Sequence, residues 1–152
     1  MTASVALAFL HHAAAFLIAA VLTVEMVLMR GDLDVRTART ILRMDAIYGA
    51  AAAVLLVVGF LRVFYTEKVP AYYFQNGAFI GKIALFVLVG LLSIYPTVQF
   101  LKWRQTVRQN QAPTLHPAVR DRIRMILHLE LALLLLIILL AVMMARGVGI
   151  IG

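Results

Sequence analysis

Four apolar runs, each long enough to cross a lipid bilayer as a helix, dominate the sequence. They cover residues 3–29, 44–64, 78–101 and 124–146. A hydrocarbon core needs about 20 predominantly apolar residues per helix. Since 64% of the 152 residues are hydrophobic and only 14% are charged, almost nothing remains for a soluble domain. The sequence therefore predicts an all-α integral membrane protein, in which residues 1–152 form one four-helix bundle.

The basic residues report orientation in a membrane rather than nucleic-acid binding. Ten of the fourteen Lys and Arg residues lie between runs one and two or between runs three and four: Arg30, Arg36, Arg39, Arg43, Lys102, Arg104, Arg108, Arg120, Arg122 and Arg124. Because basic loops stay on the cytoplasmic side, we expect both termini on the outer side of a bacterial inner membrane. Trp103 at one boundary and Tyr65, Tyr72 and Tyr73 at the other are typical of aromatic belts.

Several classes of chemistry lack the residues that they need. The chain has no cysteine, which excludes disulfides, thiolate nucleophiles and cysteine-ligated iron–sulfur clusters. Neither a Gly-rich phosphate loop nor a G-x-S-x-G or H-E-x-x-H motif occurs. The first apolar run is too long for a signal peptide and has no basic segment before it, so we expect it to be retained.

Four ionisable residues are predicted at one depth near the outer ends of the spans, and a fifth, Arg146, lies slightly further out and can reach the same depth. We call the five the outer layer. They are His11, His12, Arg62, Lys82 and Arg146. At 1.5 Å per residue, the histidines lie roughly 25 Å from the cytoplasmic end of the first helix, and Arg62 and Lys82 lie about 27 to 29 Å along theirs. Ionisable groups within spans usually face the bundle interior and mark a function. Imidazoles beside cations, with no carboxylate on any span at that depth, favour an anionic ligand.

A haem meets the requirements of the outer layer. Its iron binds a neutral imidazole, and its propionates pair with Arg or Lys. His11 and His12 are about 100° apart around the helix and cannot clamp one iron from opposite sides, so one of them is the predicted axial ligand. Lys82 is the predicted second ligand or, like Arg62 and Arg146, a propionate partner. The alternative is structural: a histidine that only forms hydrogen bonds, with Lys82 and Arg146 extending to the membrane surface.

A second polar group, the inner layer, is predicted near the cytoplasmic ends of the helices. Its members are Glu25, Asp45, Tyr48, Tyr95, His128 and Glu130. Their oxygen and nitrogen donors suit a divalent metal or a proton relay. The alternative is again structural and consists of local pairing: Glu25 and Asp45 with Arg30 and Arg43, and Glu130 with Tyr48 or Tyr95.

Three segments of the chain resemble a known family. FLHH in the first helix, FIGKIALFVLVGLLSIYPTVQFLKWR in the third and AVMMARGVG at the end of the fourth are similar to the small bacterial membrane proteins grouped as DUF2214. The resemblance covers nearly the whole chain, and S-I-x-P-T-x-x-F followed by W-R, with M-A-R-G, are its more specific parts. The family name implies a membrane protein and carries no activity.

More distantly, the chain is similar to four-helix membrane proteins that include copper-resistance D domains and the haem-containing protoporphyrinogen oxidase of bacteria. In that oxidase a first-helix histidine and a third-helix lysine form the functional pair, and the resemblance places this pair at His12 or His11 and at Lys82. The oxidase's tryptophan and Tyr-His pair are missing here, with Tyr95 and Pro96 near the latter. The resemblance therefore implies haem binding rather than oxidase activity.

Together, these features predict a b-type haem protein that transfers electrons or oxidises a small molecule such as a quinol or a porphyrinogen. We expect a homodimer, because four short spans enclose little space for a macrocycle. Two other classes remain open: a small metal-ion or proton transporter that uses Glu25, Asp45, His128 and Glu130, and a structural accessory subunit of a larger complex.

Overall fold

The computed structural model describes residues 3–66 and 76–146 and places them in four long helices. Helix α1 spans Ala3–Leu28, α2 spans Val35–Leu61, α3 spans Gly77–Arg108 and α4 spans Pro117–Ala145. Arg62–Thr66 continues α2 as a short π-helix. Each of the four is long and apolar enough to cross a membrane. The predicted all-α fold of four spans is confirmed, and its helices imply a lipid environment.

Capping side chains explain where three of the helices begin. Asp34 Oδ1 accepts a hydrogen bond from the backbone N–H of Thr37 at 2.6 Å, in the first turn of α2. Asn76 Oδ1 accepts from two backbone N–H groups in the first turn of α3. At the start of α4, His116 Nδ1 accepts from the backbone N–H of Ala118. Pro117 occupies the first helical position, where its missing N–H leaves no hydrogen bond unmade. On the basic-loop side, α2, α3 and α4 extend beyond the predicted apolar runs, because Arg and Lys are good helix formers outside the hydrocarbon as well.

The four helices form a ring. Helix α1 packs mainly on α2, and α3 packs mainly on α4, with smaller contacts between α2 and α3 and between α1 and α4. In the described residues, the backbones of diagonally opposite helices lie farther apart than those of neighbouring helices. Short connections at 29–34 and 109–116 make each main pair an antiparallel hairpin. All four helices therefore present one face to a common interior.

The core is densest in the half of the bundle next to the basic loops. The side chains of Ile18, Leu22, Ile41, Phe100, Ile123 and Leu127 are almost fully buried there. Trp103 is also buried, 5.1 Å from Phe100 between ring centroids. The prediction that Trp103 belongs to an aromatic belt was therefore wrong, because its ring fills the core instead of facing the membrane surface. Tyr65 is exposed, and Tyr72 and Tyr73 lie outside the described residues.

Candidate ligand pocket and carboxyl cluster

A pocket of about 470 Å³ lies in the half of the bundle away from the basic loops. Its lining contains three basic side chains, those of His11, Arg62 and Lys82, among aliphatic and aromatic residues. The aromatic members are Phe60, Phe64, Phe79 and Phe86. No acidic residue belongs to the described lining. The volume falls within the range of about 300–1,000 Å³ that is typical of small-molecule sites.

His11 reaches this pocket from α1. Its Nδ1 atom is buried and forms no hydrogen bond, although the backbone carbonyl of Leu55 lies near the ring. Gly59 on α2 leaves room for the imidazole, because a Cβ at that position would lie 3.4 Å from His11 Cε1 and 3.7 Å from Nδ1. Buried polar atoms in proteins usually have a partner. Because no well-formed hydrogen bond holds its buried nitrogen and the ring lies in the pocket lining, His11 is a candidate ligand for a molecule in the pocket.

The π-helix at the end of α2 forms one wall of the pocket. Arg62, its first residue, and the next two residues, Val63 and Phe64, all belong to the lining. The Phe64 ring stacks on that of Phe60, with centroids 6.3 Å apart. Short π-helical segments occur often at functional sites, and this one places a guanidinium beside an aromatic surface.

Lys82 belongs to the lining from α3. Its Nζ atom lies 5.3 Å from the centroid of the Phe79 ring, which is within cation–π range. Lys82 and Arg62 both interact electrostatically with His11, and each makes further interactions within the protein. Three of the five outer-layer residues are therefore close together around one pocket.

His12 and Arg146, the other two outer-layer residues, do not line the pocket. His12 is exposed, and its Nδ1 lies 2.6 Å from the carbonyl oxygen of Ala8, one turn earlier. Its ring is edge-on to that of His11, with centroids 6.0 Å apart. Arg146 is exposed directly after α4, where its backbone N–H donates to the last turn of the helix. The two adjacent histidines thus have different surroundings, which the sequence does not distinguish.

Three carboxyl side chains meet inside the bundle on the side of the basic loops, and we call them the carboxyl cluster. They belong to Glu25 on α1, Asp45 on α2 and Glu130 on α4. Glu25 is 2% exposed and Glu130 is 0% exposed, and both interact electrostatically with Asp45. Oε1 of Glu25 and both carboxyl oxygens of Glu130 form no hydrogen bond. Thr97 Oγ1 on α3 donates to Asp45 Oδ1 at 2.6 Å, so every helix contributes a polar group.

The two inner-layer tyrosines lie in different surroundings. Tyr48 is buried, interacts electrostatically with all three members of the carboxyl cluster and lies beside Ser93. Tyr95 is partly buried and has the guanidinium of Arg122 5.6 Å from its ring centroid. Only Tyr48 therefore belongs with the carboxyl cluster.

The local ion pairs predicted as the structural alternative do not form in the part of the chain that the structure describes. Arg30 lies 3.4 Å from His128 Nε2 instead of pairing with Glu25. His128 is exposed, and its Nδ1 lies 2.6 Å from the carbonyl oxygen of Arg124. Arg43 is exposed and forms no salt bridge with Asp45. The predicted pairs were wrong because these arginines lie at the bundle surface, whereas the carboxyls face its interior.

The described residues give no ligand set for a divalent metal. Within 3–66 and 76–146, no group of three or more His, Cys, Asp or Glu side chains is arranged to hold a metal ion. His128, the only nitrogen donor expected in the inner layer, lies on the exposed face of α4. The carboxyl cluster therefore consists of oxygen donors alone.

Comparison with known sequences adds the family. The profile described as "Predicted membrane protein (DUF2214)" matches residues 3–149. The chain belongs to the DUF2214 family. No curated protein matches it, and no solved structure matches it. The more distant likeness to copper-resistance D domains and to the haem-containing oxidase stays a prediction.

Two residues at these sites of the DUF2214 protein were not among those predicted. Gly59, beside His11, lies in an apolar run, and the only sequence signal for it is that glycine has no side chain. Thr97, the donor to Asp45, belongs to the SIYPT stretch of α3. A hydroxyl within a span usually bonds across helices or to its own backbone, and that rule would have identified Thr97 as a possible donor.

Proposed function

We propose that this DUF2214 protein binds haem b in the pocket beside His11. The observation that supports the proposal is the meeting of one partly buried imidazole and two cationic side chains at a pocket that is otherwise apolar. A macrocycle needs an aromatic and aliphatic environment, its iron needs an imidazole, and its carboxylates need cations. The lining provides all three.

The residues of the pocket have distinct roles in this proposal. His11 is the axial ligand, because its ring is the imidazole of the pocket lining, whereas the His12 ring is exposed. Arg62 holds a propionate, since a guanidinium has five N–H donors and can bind a carboxylate in addition to its other partners. Lys82 is a second axial ligand or a second propionate partner. Gly59 lies against the imidazole, where a Cβ would be in ordinary contact with the ring and a longer side chain would enter the pocket.

A bound haem supplies one-electron redox chemistry. The protein orients it through His11 and excludes water from it through the phenylalanine side chains of the pocket. Phe60, Phe64 and Ile80 line the pocket and are each about half exposed, so the site borders the lipid. A lipid-soluble reductant, such as a quinol or a porphyrinogen, can approach from that side. The same exposed edge is where we expect a second subunit to complete the site in a homodimer.

The test is the visible spectrum of the purified protein, with the two adjacent histidines as a matched pair. Protein from haem-replete cells is expected to show a Soret band and, on reduction, a sharp α-band. His11→Ala should lose both bands or shift them strongly, because the iron loses its ligand. His12→Ala should retain them, since that ring is exposed and bonds only within its own helix.

Three results would count against haem binding at His11. They are a colourless wild-type preparation, an unchanged spectrum in His11→Ala, and equal losses in the two variants. A circular dichroism spectrum of each variant establishes that the helices are intact, so a loss of colour is assigned to the ligand and not to unfolding.

Only some of the residues predicted for the transporter alternative lie together in the structure. His128 lies on the exposed surface, and the described residues hold no metal site. What remains is the carboxyl cluster, whose chemistry is separate from that of the pocket. The accessory-subunit alternative stays a prediction.

A further inference from the structure

The carboxyl cluster places three acids in the interior of a membrane protein. Glu25 and Glu130 are at least nine-tenths buried, and three of their four carboxyl oxygens form no hydrogen bond. Glu25 interacts electrostatically with both Asp45 and Glu130, so the side chains face one another. Buried, unpartnered oxygens that face a shared interior require a ligand, because an uncompensated charge there is very costly.

No described cation takes that place. The basic side chains near this end of the bundle have other positions: Arg30 beside His128, Arg122 over Tyr95, Arg124 beside Asp121, and Arg43 on the surface. The remaining groups that face the cluster are hydroxyls, those of Tyr48, Ser93 and Thr97. Charge compensation therefore has to come from a small ion.

We propose that Glu25, Asp45 and Glu130 form an intramembrane proton-binding site in which three carboxyls share two protons. Asp45 is the ionised member, because Thr97 Oγ1 donates to it across the interface between α2 and α3. Glu25 and Glu130 are the protonated members, since their oxygens lack donors. The single negative charge then lies on Asp45, which interacts electrostatically with Glu25, Glu130 and Tyr48.

The geometry favours the proton over a metal ion. Within the described chain, no three acidic or histidine side chains are arranged as metal ligands. A proton needs only one oxygen, and neighbouring carboxyls commonly share one. The site is also independent of the haem proposal, because His11 and Glu25 lie roughly 21 Å apart along α1 and buried apolar side chains such as Ile18 and Leu55 lie between them. Either proposal can fail without the other.

The decisive experiment is infrared spectroscopy of the full-length protein in lipid nanodiscs. Neutral carboxylic acids give a C=O stretching band that carboxylates lack. We expect this band in the wild type, a partial loss in Glu25→Gln and in Glu130→Gln, and loss of both contributions in the double variant. Asp121→Asn, which changes an exposed acid on α4, should leave the band unchanged at neutral pH. An unchanged band in the double variant overturns the proposal.

Chemical labelling gives a second, site-resolved measurement. Dicyclohexylcarbodiimide is an apolar reagent that adds to protonated carboxyls within membranes. Peptide mass mapping should find the adduct on Glu25 or Glu130, in amounts that fall as the pH is raised. The labelling is repeated in sodium chloride and in choline chloride at equal ionic strength. Equal labelling in both supports a proton site, whereas protection by sodium alone shows a metal cation in its place and overturns the proposal.

Discussion

Gly59 determines how much space the His11 ring has. A Cβ at this position meets the imidazole at ordinary contact distance, whereas a longer side chain would enter the pocket. Gly59→Leu should therefore weaken haem binding by about 1–3 kcal/mol, the usual cost of overpacking, which is roughly a five- to 150-fold loss of affinity. Titration of the haem-depleted protein with haem, followed by absorbance, measures the change.

Gly49→Leu is the matched control for Gly59→Leu. Gly49 lies on the same helix, is exposed, and has no atom within 4 Å of the position that its Cβ would occupy. Its substitution should leave haem affinity unchanged. Equal affinities in the two leucine variants would show that haem, if it binds, binds elsewhere.

His11 and His12 show that a sequence pattern does not determine which of two neighbouring side chains points into the bundle. The pair follows Phe9 and Leu10 and precedes three alanines, and the predicted depths of the two histidines are nearly equal. Which of them faces the pocket depends on the rotation of α1 about its axis. That rotation is set by packing against α2 over the whole helix length, including Ala14, Ile18 and Leu22. Because the run around the two histidines is apolar on all sides, the local sequence does not indicate how α1 is rotated about its axis.

At the scale of the helix, the hydrogen bond from Thr97 to Asp45 joins α2 to α3 near the carboxyl cluster. Thr97→Val keeps the shape of the side chain and removes the donor from a partly buried acceptor. The expected loss is about 1–3 kcal/mol of unfolding free energy, measured by denaturant titration in detergent. Thr23→Val is the control, because Thr23 bonds only to the Ala19 carbonyl on its own exposed surface. If the two valine variants are equally stable, this bond does not hold the helices together.

The start of α2 should respond to acid in a defined direction. The backbone N–H of Thr37 donates to Asp34 and lowers the pKa of that carboxyl below its usual value. Because the pKa is lower in the folded than in the unfolded chain, this stabilisation is present above the unfolded pKa of about 3.9 and is lost as the pH falls through the folded pKa. Asp34→Asn keeps an acceptor that does not titrate.

The measurement for Asp34 is the unfolding midpoint of the wild type and of Asp34→Asn between neutral and strongly acidic pH. The wild type should lose more stability than the variant in the acidic range, and the gap between them should narrow towards low pH. If the unfolding midpoints of the two proteins change with pH in parallel, the charge of the Asp34 cap does not contribute to stability.

The four helices were predictable because a segment of about 20 apolar residues can adopt few structures in a membrane other than a spanning helix. The carboxyl cluster was predictable only in part. Depth along each helix placed Glu25, Asp45, Tyr48 and Glu130 in one layer, and the structure groups them. Depth also placed His128 there, yet its side chain lies on the other face of α4. Depth follows from counting residues, whereas the inward or outward direction of a side chain follows from packing.

On the scale of the whole molecule, the two candidate sites lie in opposite halves of the bundle. The half next to the basic loops contains the dense core and the carboxyl cluster, whereas the other half contains the pocket. The haem proposal thus concerns one membrane surface and the proton proposal the other. Under these two proposals, the surface that faces the cytoplasm would decide on which side electrons and on which side protons are exchanged.

The orientation of the bundle can be measured directly, because the chain has no cysteine and a single one can be introduced anywhere. Gln111→Cys places a thiol in the exposed connection between α3 and α4, and Ala3→Cys places one at the opposite end of the bundle. Since basic loops stay inside, a membrane-impermeant maleimide added to intact spheroplasts should label position 3 and spare position 111. After lysis both should react equally. Labelling of position 111 in intact spheroplasts would place the carboxyl cluster at the outer surface and the pocket at the cytoplasmic one.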